Sequence, residues 1–232
     1  MIDIKQLSFS YNKKQPILKD INLTIHDFEK VGILGESGSG KSTLAHLILG
    51  LLQPVQGQLT CNSSNILPIF QHAYDSFNPD WTIYESLHEA LKYYNNMKND
   101  HDIEQSIYDY ITKLNLDAQL LQQLPDLLSG GQLQRFNVMR TLLAQPEILI
   151  CDEITSNLDV IAEQNVIDIL KQQDVLNVVN LIIISHDLSV LQRTVERIIV
   201  LKDGVIVDDF TTAQLFNSDR HPYTKELIAT FN

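Results

Sequence analysis

The chain has 232 residues, 44% of them hydrophobic and 20% charged, with a formal net charge of -12. That length fits one domain, or one domain carrying a substantial insertion, and the composition is that of a globular protein with a real core. An acidic balance without any lysine or arginine cluster argues against binding nucleic acid through its phosphates.

In chain order, the opening runs MIDIKQLSFSY and ILKDINLTIHD alternate apolar and polar residues through Ile2, Ile4, Ile21, Leu23 and Ile25. A period of two marks half-exposed strands, expected to pair antiparallel. Charge enters at once in MIDIKQLSFS, with no apolar stretch of signal-peptide length. KVGIL (Lys30–Leu34) is short, almost wholly apolar and bounded by glycine, the pattern of a buried strand. STLAHLILGLL then sets Leu44, Leu47, Ile48 and Leu51 at helical spacing, and QPVQG is expected to end that helix.

From residue 72 to 127 the texture changes: IYESLHEALKYY and IEQSIYDYITKLNL have helical periodicity around the polar NNMKND, as in a helical insertion. PEILICDE and VNLIIISHD read as apolar strands ending in acidic or histidine residues, with the helix VIAEQNVIDILKQQ between them. Buried strands alternating with helices indicate a parallel sheet covered on both faces. The most apolar run, VVNLIIIS (Val178–Ser185), is far too short to cross a bilayer. RIIVLKDGVIVDDF predicts a strand, a tight turn at Asp203-Gly204 and a second strand, and FNSDRHPYTKELIATFN a short helical tail. Cys61 and Cys151 lie far apart and outside paired-ligand spacing, which argues against a disulfide framework or zinc site and fits a reducing compartment.

The chemistry concentrates in GESGSGKST (Gly35–Thr43), which satisfies G-x-x-x-x-G-K-[ST] through Gly35, Gly40, Lys41 and Ser42, with Gly38 as an extra glycine. Glycines let backbone N–H groups converge on phosphate oxygens, and the following helix turns its positive end toward the same anion. Lys41 would neutralise the β- and γ-phosphates and the Ser42 hydroxyl would hold Mg²⁺. A buried strand before the loop and an amphipathic helix after it make nucleotide binding the expectation.

Asp152 and Glu153 end a buried strand, and in a parallel sheet ligands gather at such carboxyl ends. Asp152 is then placed to hold Mg²⁺, and Glu153 to orient or deprotonate a water. His186 ends a second strand, where an imidazole could touch the γ-phosphate. LLSGGQLQRFN offers a second anion cradle: Ser129 as N-cap, Gly130 and Gly131 for close approach, and a helix from Gln132 with Leu133, Phe136, Leu142 and Leu143 on its buried side.

LSGGQLQR resembles the signature sequence of ATP-binding cassette (ABC) ATPases, and nearly the whole chain resembles that family in the order and spacing of its motifs. Tyr11 resembles the aromatic that stacks on adenine, and Gln71 in PIFQHAYDSFNP the glutamine at the lever between the core and the helical subdomain. SNLD (Ser156–Asp159) resembles the D-loop, and His186 the switch histidine. The resemblance implies an α/β fold: a P-loop NTPase core (1–71 and 146–215) with an antiparallel β subdomain, an inserted α-helical signature subdomain (72–145) and a short tail (216–232). It implies ATP held by Tyr11 and by Gly35, Glu36, Ser37, Gly38, Ser39, Gly40, Lys41, Ser42 and Thr43. Mg²⁺ would sit on Ser42, Gln71 and Asp152, and catalysis would fall to Glu153, His186 and Gln71. Ser129, Gly130, Gly131 and Gln132 would close over the ATP of a second cassette, expected to be a paralogue, with a second copy of this chain as the alternative. Where the family usually has proline, Ile154 follows Glu153, and Asn157 takes a D-loop position usually alanine or glycine.

FQHAYDSFNPDWTIYESL and HPYTKEL resemble the peptide and nickel importer branch. Within it, LQRFNVMRTLLAQPEILICDEITSNLDVIAEQNVI is most similar to ATP-binding subunits of staphylococcal-type nickel import systems. The chain stops soon after HPYTKEL, without the longer and often cysteine-bearing tail of many peptide-importer cassettes, which favours a metal importer. The expected partners are two integral membrane permeases and, indirectly, an extracellular solute-binding protein, but no nucleic acid; the expected place is the cytoplasmic face of the membrane. An oligopeptide importer is the alternative; a nucleic-acid or ribosome ATPase fits the single cassette and the acidity less well, and a P-loop kinase leaves LSGGQLQR unexplained. The seven histidines are scattered without metal-ligand spacing, so selectivity for the solute is expected in other subunits.

Overall fold

The computed structural model describes residues 1–12, 15–94, 97–156, 158–172 and 180–230. In chain order its elements are β1 (Ile2–Phe9), β2 (Leu18–Ile25), β3 (Lys30–Leu34), α1 (Lys41–Ile48), β4 (Gln56–Cys61), β5 (Ile66–Ile69), α2 (Ile83–Tyr94), α3 (Asp100–Lys113) and α4 (Gly130–Leu143). They continue with β6 (Ile148–Asp152), α5 (Val160–Lys171), β7 (Asn180–Ser185), α6 (Leu188–Thr194), β8 (Arg197–Lys202), β9 (Val205–Thr211) and α7 (Pro222–Thr230). The chain divides into two compact units: Met1–Pro68 with Glu147–Glu153 and Val178–Asn232, and Ile69–Pro146 with Ile154–Asn177.

The first unit holds the sheets. β1 pairs antiparallel with β2 and β4, as the alternation in the opening residues predicts, with Ile2 opposite Ile25 and Ile4 opposite Leu23. The buried positions on β1 change phase between Ile4 and Leu7, where a bulge places Gln6 at a positive φ of 50°. A strand that keeps one apolar face must spend an extra residue to do this.

The second sheet has the order β5-β6-β7-β3-β8-β9. β6, β7, β3 and β8 run parallel, and β9 returns antiparallel beside β8. Leu34 at the end of β3 is level with Ser185 of β7, and Asp152 of β6 with Ile184 of β7. The segments after β3, β6 and β7 therefore leave the sheet side by side. Val31, Ile33, Ile148, Ile150, Ile182, Ile184 and Ile199 share a core with the buried face of α1 and with the inner residues of β1 and β2.

The second unit is helical. Each of its longer helices begins on a side chain that accepts from orphan N–H groups: Thr82 with Glu85 before α2, Asn99 before α3, Ser129 before α4 and Asp159 before α5. Ile83, Leu87 and Leu91 of α2 and Ile103, Ile107 and Ile111 of α3 are buried at helical spacing.

Three expectations need correction. The helix after the phosphate loop ends before QPVQG, at Ile48, and Leu51 lies outside it and exposed. Gly50, at φ 72°, donates to Leu47 O while Leu51 N donates to His46 O, and this paired left-handed cap stops the helix. The signature helix starts at Gly130 rather than Gln132, because the Ser129 cap draws both glycines into its first turn. β4, β5 and α6 were not anticipated; β4 has no buried residue, and its Gln-Gly-Gln start is exposed throughout and shows no alternation.

Candidate functional site

The phosphate loop follows from β3. Gly40, at φ 107°, is the N-cap of α1 and takes a left-handed conformation that leaves the first N–H groups of the helix facing outward. Tyr11, Ile17, Ser37, Gly38, Gly40, Lys41, Ser42, Thr43 and Glu153 line one cavity of about 240 Å³. Tyr11 stands at its rim, more than half exposed, with its ring edge-on to Phe9 at 5.0 Å and its hydroxyl 3.5 Å from Thr43 Oγ1.

Lys41 is buried, and its ammonium donates to the carbonyls of Gly35 at 2.8 Å and Glu36 at 2.9 Å. Burial pulls its pKa below the ordinary lysine value, against the pull of Glu153 and Asp152. Asp152 is also buried, and burial pushes its pKa up while a hydrogen bond from the Ser42 hydroxyl opposes the rise. Next to it, burial pushes the Cys151 thiol far up, so this cysteine is an inert core residue.

Glu153 leaves β6 in the left-handed region at φ 50°, its N–H donating to Ile184 O at 2.9 Å. Its carboxylate lies between the Lys41 ammonium, Nζ 3.8 Å from Oε1, and the His186 imidazole, Nδ1 3.4 Å from Oε2. The parallel sheet thus brings three sequence-separated motifs to one mouth. A carboxylate so placed, beside a buried lysine, can orient and deprotonate a water, and the His186 ring beside it is exposed.

The signature residues and Gln71 stand in the second unit. Ser129 Oγ accepts from Gln132 N at 3.3 Å, and Gln132 Oε1 accepts from Ser129 N at 2.9 Å, a reciprocal cap. A carbon at the Cβ position of Gly131 would lie 2.5 Å from Ala162 Cβ on α5, whereas nothing lies within 4 Å of that position on Gly130. One glycine lets two helices meet, and the other leaves a helix N-terminus open to an anion. Gln71 Nε2 donates to Ser156 Oγ at 2.9 Å, and Gln71, Gly130 and Ser156 line a cavity of about 470 Å³.

A family description of ABC transporters matches residues 18–156. The nickel import system ATP-binding protein NikE of Staphylococcus aureus, in two strains, is 63% identical over 232 residues, covering 100% of both chains. Among solved structures, the ATP-binding cassette MJ0796 in a dimeric post-hydrolysis state bound to ADP and Pi superposes with a TM-score of 0.79 at 25% identity, covering 91% of this chain and 99% of that one. A second dimeric structure of MJ0796 gives a TM-score of 0.78 at 28% identity over the same shares. The chain belongs to the ABC transporter family.

As an ABC ATPase the protein binds ATP, and the α/β cassette fold expected from the sequence is the fold it has. Its donors also fit Mg²⁺: Asp152 Oδ1 is buried with no hydrogen-bond partner, and the carboxylate is joined to the Ser42 hydroxyl, an all-oxygen pair of the kind hard cations take. Among the described residues no group of three or more His, Cys, Asp or Glu is arranged to hold a metal ion, and no helix is long and apolar enough to cross a membrane. Of the two departures from the family pattern, Ile154 is buried and its carbonyl accepts from Gln134 Nε2 at 2.9 Å, while Asn157 lies outside the described residues. Sequence reasoning missed Ile17, which lines the cavity beside the phosphate loop, and Ser156 as the partner of Gln71. Neither carries a local signal, because both contacts join distant stretches of chain.

Proposed function

We propose that this chain is the ATP-hydrolysing subunit that drives nickel uptake through an ABC importer, converting ATP and water to ADP and phosphate. The observation that carries the reading is its 63% identity, across the whole of both chains, to a nickel import ATP-binding protein. The Glu153 carboxylate between Lys41 and His186 supports the hydrolytic part.

In this reading Tyr11 stacks on adenine and the loop from Gly35 to Thr43 cradles the phosphates. Lys41 exchanges carbonyl oxygens of its own loop for the β- and γ-phosphate oxygens. Glu153 accepts the proton of the attacking water, and His186 follows the γ-phosphate. Asp152 and Ser42 would hold Mg²⁺, which when bound neutralises charge on the phosphates. The parts of Gln71, in holding the ion and in transmitting closure, rest on the family resemblance alone. So does the partition into a core (1–71 and 146–215), a signature subdomain (72–145) and a tail (216–232).

Ser129, Gly130, Gly131 and Gln132 serve the ATP of a second, paralogous cassette. ATP touching both cassettes favours their closed pairing by differential affinity, and its hydrolysis releases them. This cassette sits on the cytoplasmic face of the membrane, and two membrane permeases and an external solute-binding protein complete the assembly. Trp81 and Tyr93, exposed beside Tyr84 along an apolar cavity of α2, give the second unit a surface suited to such partners.

The test is uptake in cells whose own copy carries Lys41→Ala, comparing radiolabelled nickel with a labelled oligopeptide. Nickel uptake should fall to background while peptide uptake stays at the parental level. Loss of peptide uptake alone would transfer the same mechanism to a peptide importer.

A further inference from the structure

The HPYT stretch marks a family branch, yet neither nucleotide binding nor transport gives it a task. In the structure one carboxylate fastens it to β9. Asp208 accepts from Arg220 Nη1 at 3.1 Å, from His221 N at 2.9 Å and from the Thr224 hydroxyl at 2.9 Å. The Arg220 guanidinium also lies 4.5 Å from the centre of the Phe210 ring. Helix α7 therefore rises from a fixed foot, with Thr224 and Tyr223 buried. Lys202 Nζ covers the Tyr223 ring at 4.2 Å, and the Tyr223 hydroxyl accepts from Glu36 N at 3.2 Å, across 187 positions of sequence.

That N–H belongs to the same peptide unit as the Gly35 carbonyl. A trans peptide points its N–H and its C=O in opposite directions. On the far side, the Gly35 carbonyl accepts from Lys41 Nζ at 2.8 Å. The next carbonyl, of Glu36, accepts from both Lys41 Nζ at 2.9 Å and Ser39 N at 3.2 Å. One peptide plane is thus held between the tyrosine of the C-terminal segment and the lysine of the phosphate loop.

We propose that Tyr223 is a positioning residue for Lys41: by fixing the Gly35–Glu36 peptide, the docked C-terminal segment sets the loop that receives the phosphates, and its docking is read out as nucleotide affinity. The inference rests on the reading of Gly35–Thr43 as the nucleotide loop. A phenylalanine at 223 keeps the packed ring and its contact with Lys202. It leaves the Glu36 amide without its acceptor and lets the peptide plane turn away from Lys41.

The experiment uses the full-length chain as wild type, Tyr223→Phe, Asp208→Asn and the double variant. It measures Mg-ATP affinity, KM and kcat for hydrolysis, thermal unfolding and hydrogen exchange at the Glu36 amide. Tyr223→Phe should bind Mg-ATP about threefold to tenfold more weakly, with KM raised to match, kcat within about twofold, a melting midpoint lowered by at most about 6 °C and faster exchange at Glu36. Asp208→Asn should weaken binding in the same direction, and the double variant should be no weaker than the worse single one, because both act through one contact. Wild-type affinity in Tyr223→Phe overturns the proposal, as does a loss carried by kcat with KM unchanged, or a pair of losses that multiply. Failure of the wild-type chain to bind Mg-ATP is a different result, and it overturns the nucleotide reading itself.

Discussion

Glu153 shows how one residue can carry both cost and function. A glutamate in the left-handed region is strained, and such strain persists only where the surroundings hold it. Here the backbone bond to Ile184 and the ends of the carboxylate on Lys41 and His186 hold it. In the proposed mechanism Glu153→Gln keeps the shape and loses the base, so ATP should bind as before while phosphate release falls by about 100-fold to 10,000-fold. A variant that hydrolyses at the wild-type rate would place the base elsewhere. Asp152 makes the opposite kind of sacrifice, because burial raises its pKa in the folded chain. A raised carboxylate pKa means that the folded state holds the proton more tightly than the unfolded state does. The ionised group therefore costs stability above its folded pKa, and the cost vanishes below the unfolded carboxylate range. Without nucleotide or metal, Asp152→Asn should melt above wild type at about pH 8, and the gap should close toward about pH 4. Thermal unfolding across that range checks it, and a gap independent of pH would remove the electrostatic cause.

At the scale of elements, the two signature glycines separate structure from function. Gly131 has no room for a Cβ against Ala162, so Gly131→Ala should destabilise the chain by about 1–3 kcal/mol. Gly130 faces open space, and Gly130→Ala should be neutral or stabilising by up to about 1 kcal/mol. Adding Ala162→Gly should recover part of the Gly131→Ala loss, since the clash is between those two carbons; denaturant midpoints of the single and double variants measure it. Adjacent identical letters could not reveal this difference, because it depends on which face of α4 meets α5. What could be read in the sequence was what depends on local periodicity. β3, β6 and β7 are buried runs, β8 and β9 flank an Asp-Gly turn, and the apolar spacing of α2 and α3 survives without tertiary help. β4 escaped because four of its six residues are exposed and none is buried, and the end of α1 because the Gly50 cap was passed over for a later proline. The phosphate loop was legible as chemistry from its own residues. Gln71 to Ser156 and Tyr223 to Glu36 were not, because such bonds exist only after the chain has folded.

On the scale of the molecule, the chain carries two helix N-termini flanked by glycine in separate compact units, one after the phosphate loop and one at the signature. If both served the same chain's nucleotide, damage to either would weaken ATP binding by the isolated protein. If the signature serves a partner's ATP, the two kinds of damage must separate. Ser129→Asp distinguishes them, since aspartate is as good an N-cap as serine and should preserve α4, yet it sets a negative charge where a γ-phosphate must arrive. The isolated variant should keep the wild-type melting midpoint and bind ATP within about twofold of wild type. Lys41→Ala should lose that binding outright. In the Glu153→Gln background, where ATP persists, the chain mixed with the paralogous cassette proposed as its partner should form an ATP-dependent pair that size-exclusion chromatography resolves. Adding Ser129→Asp should abolish the pair. A pair that still forms would mean that the signature does not face the partner's phosphates, whereas loss of ATP binding by the isolated variant would return the signature to its own chain's nucleotide.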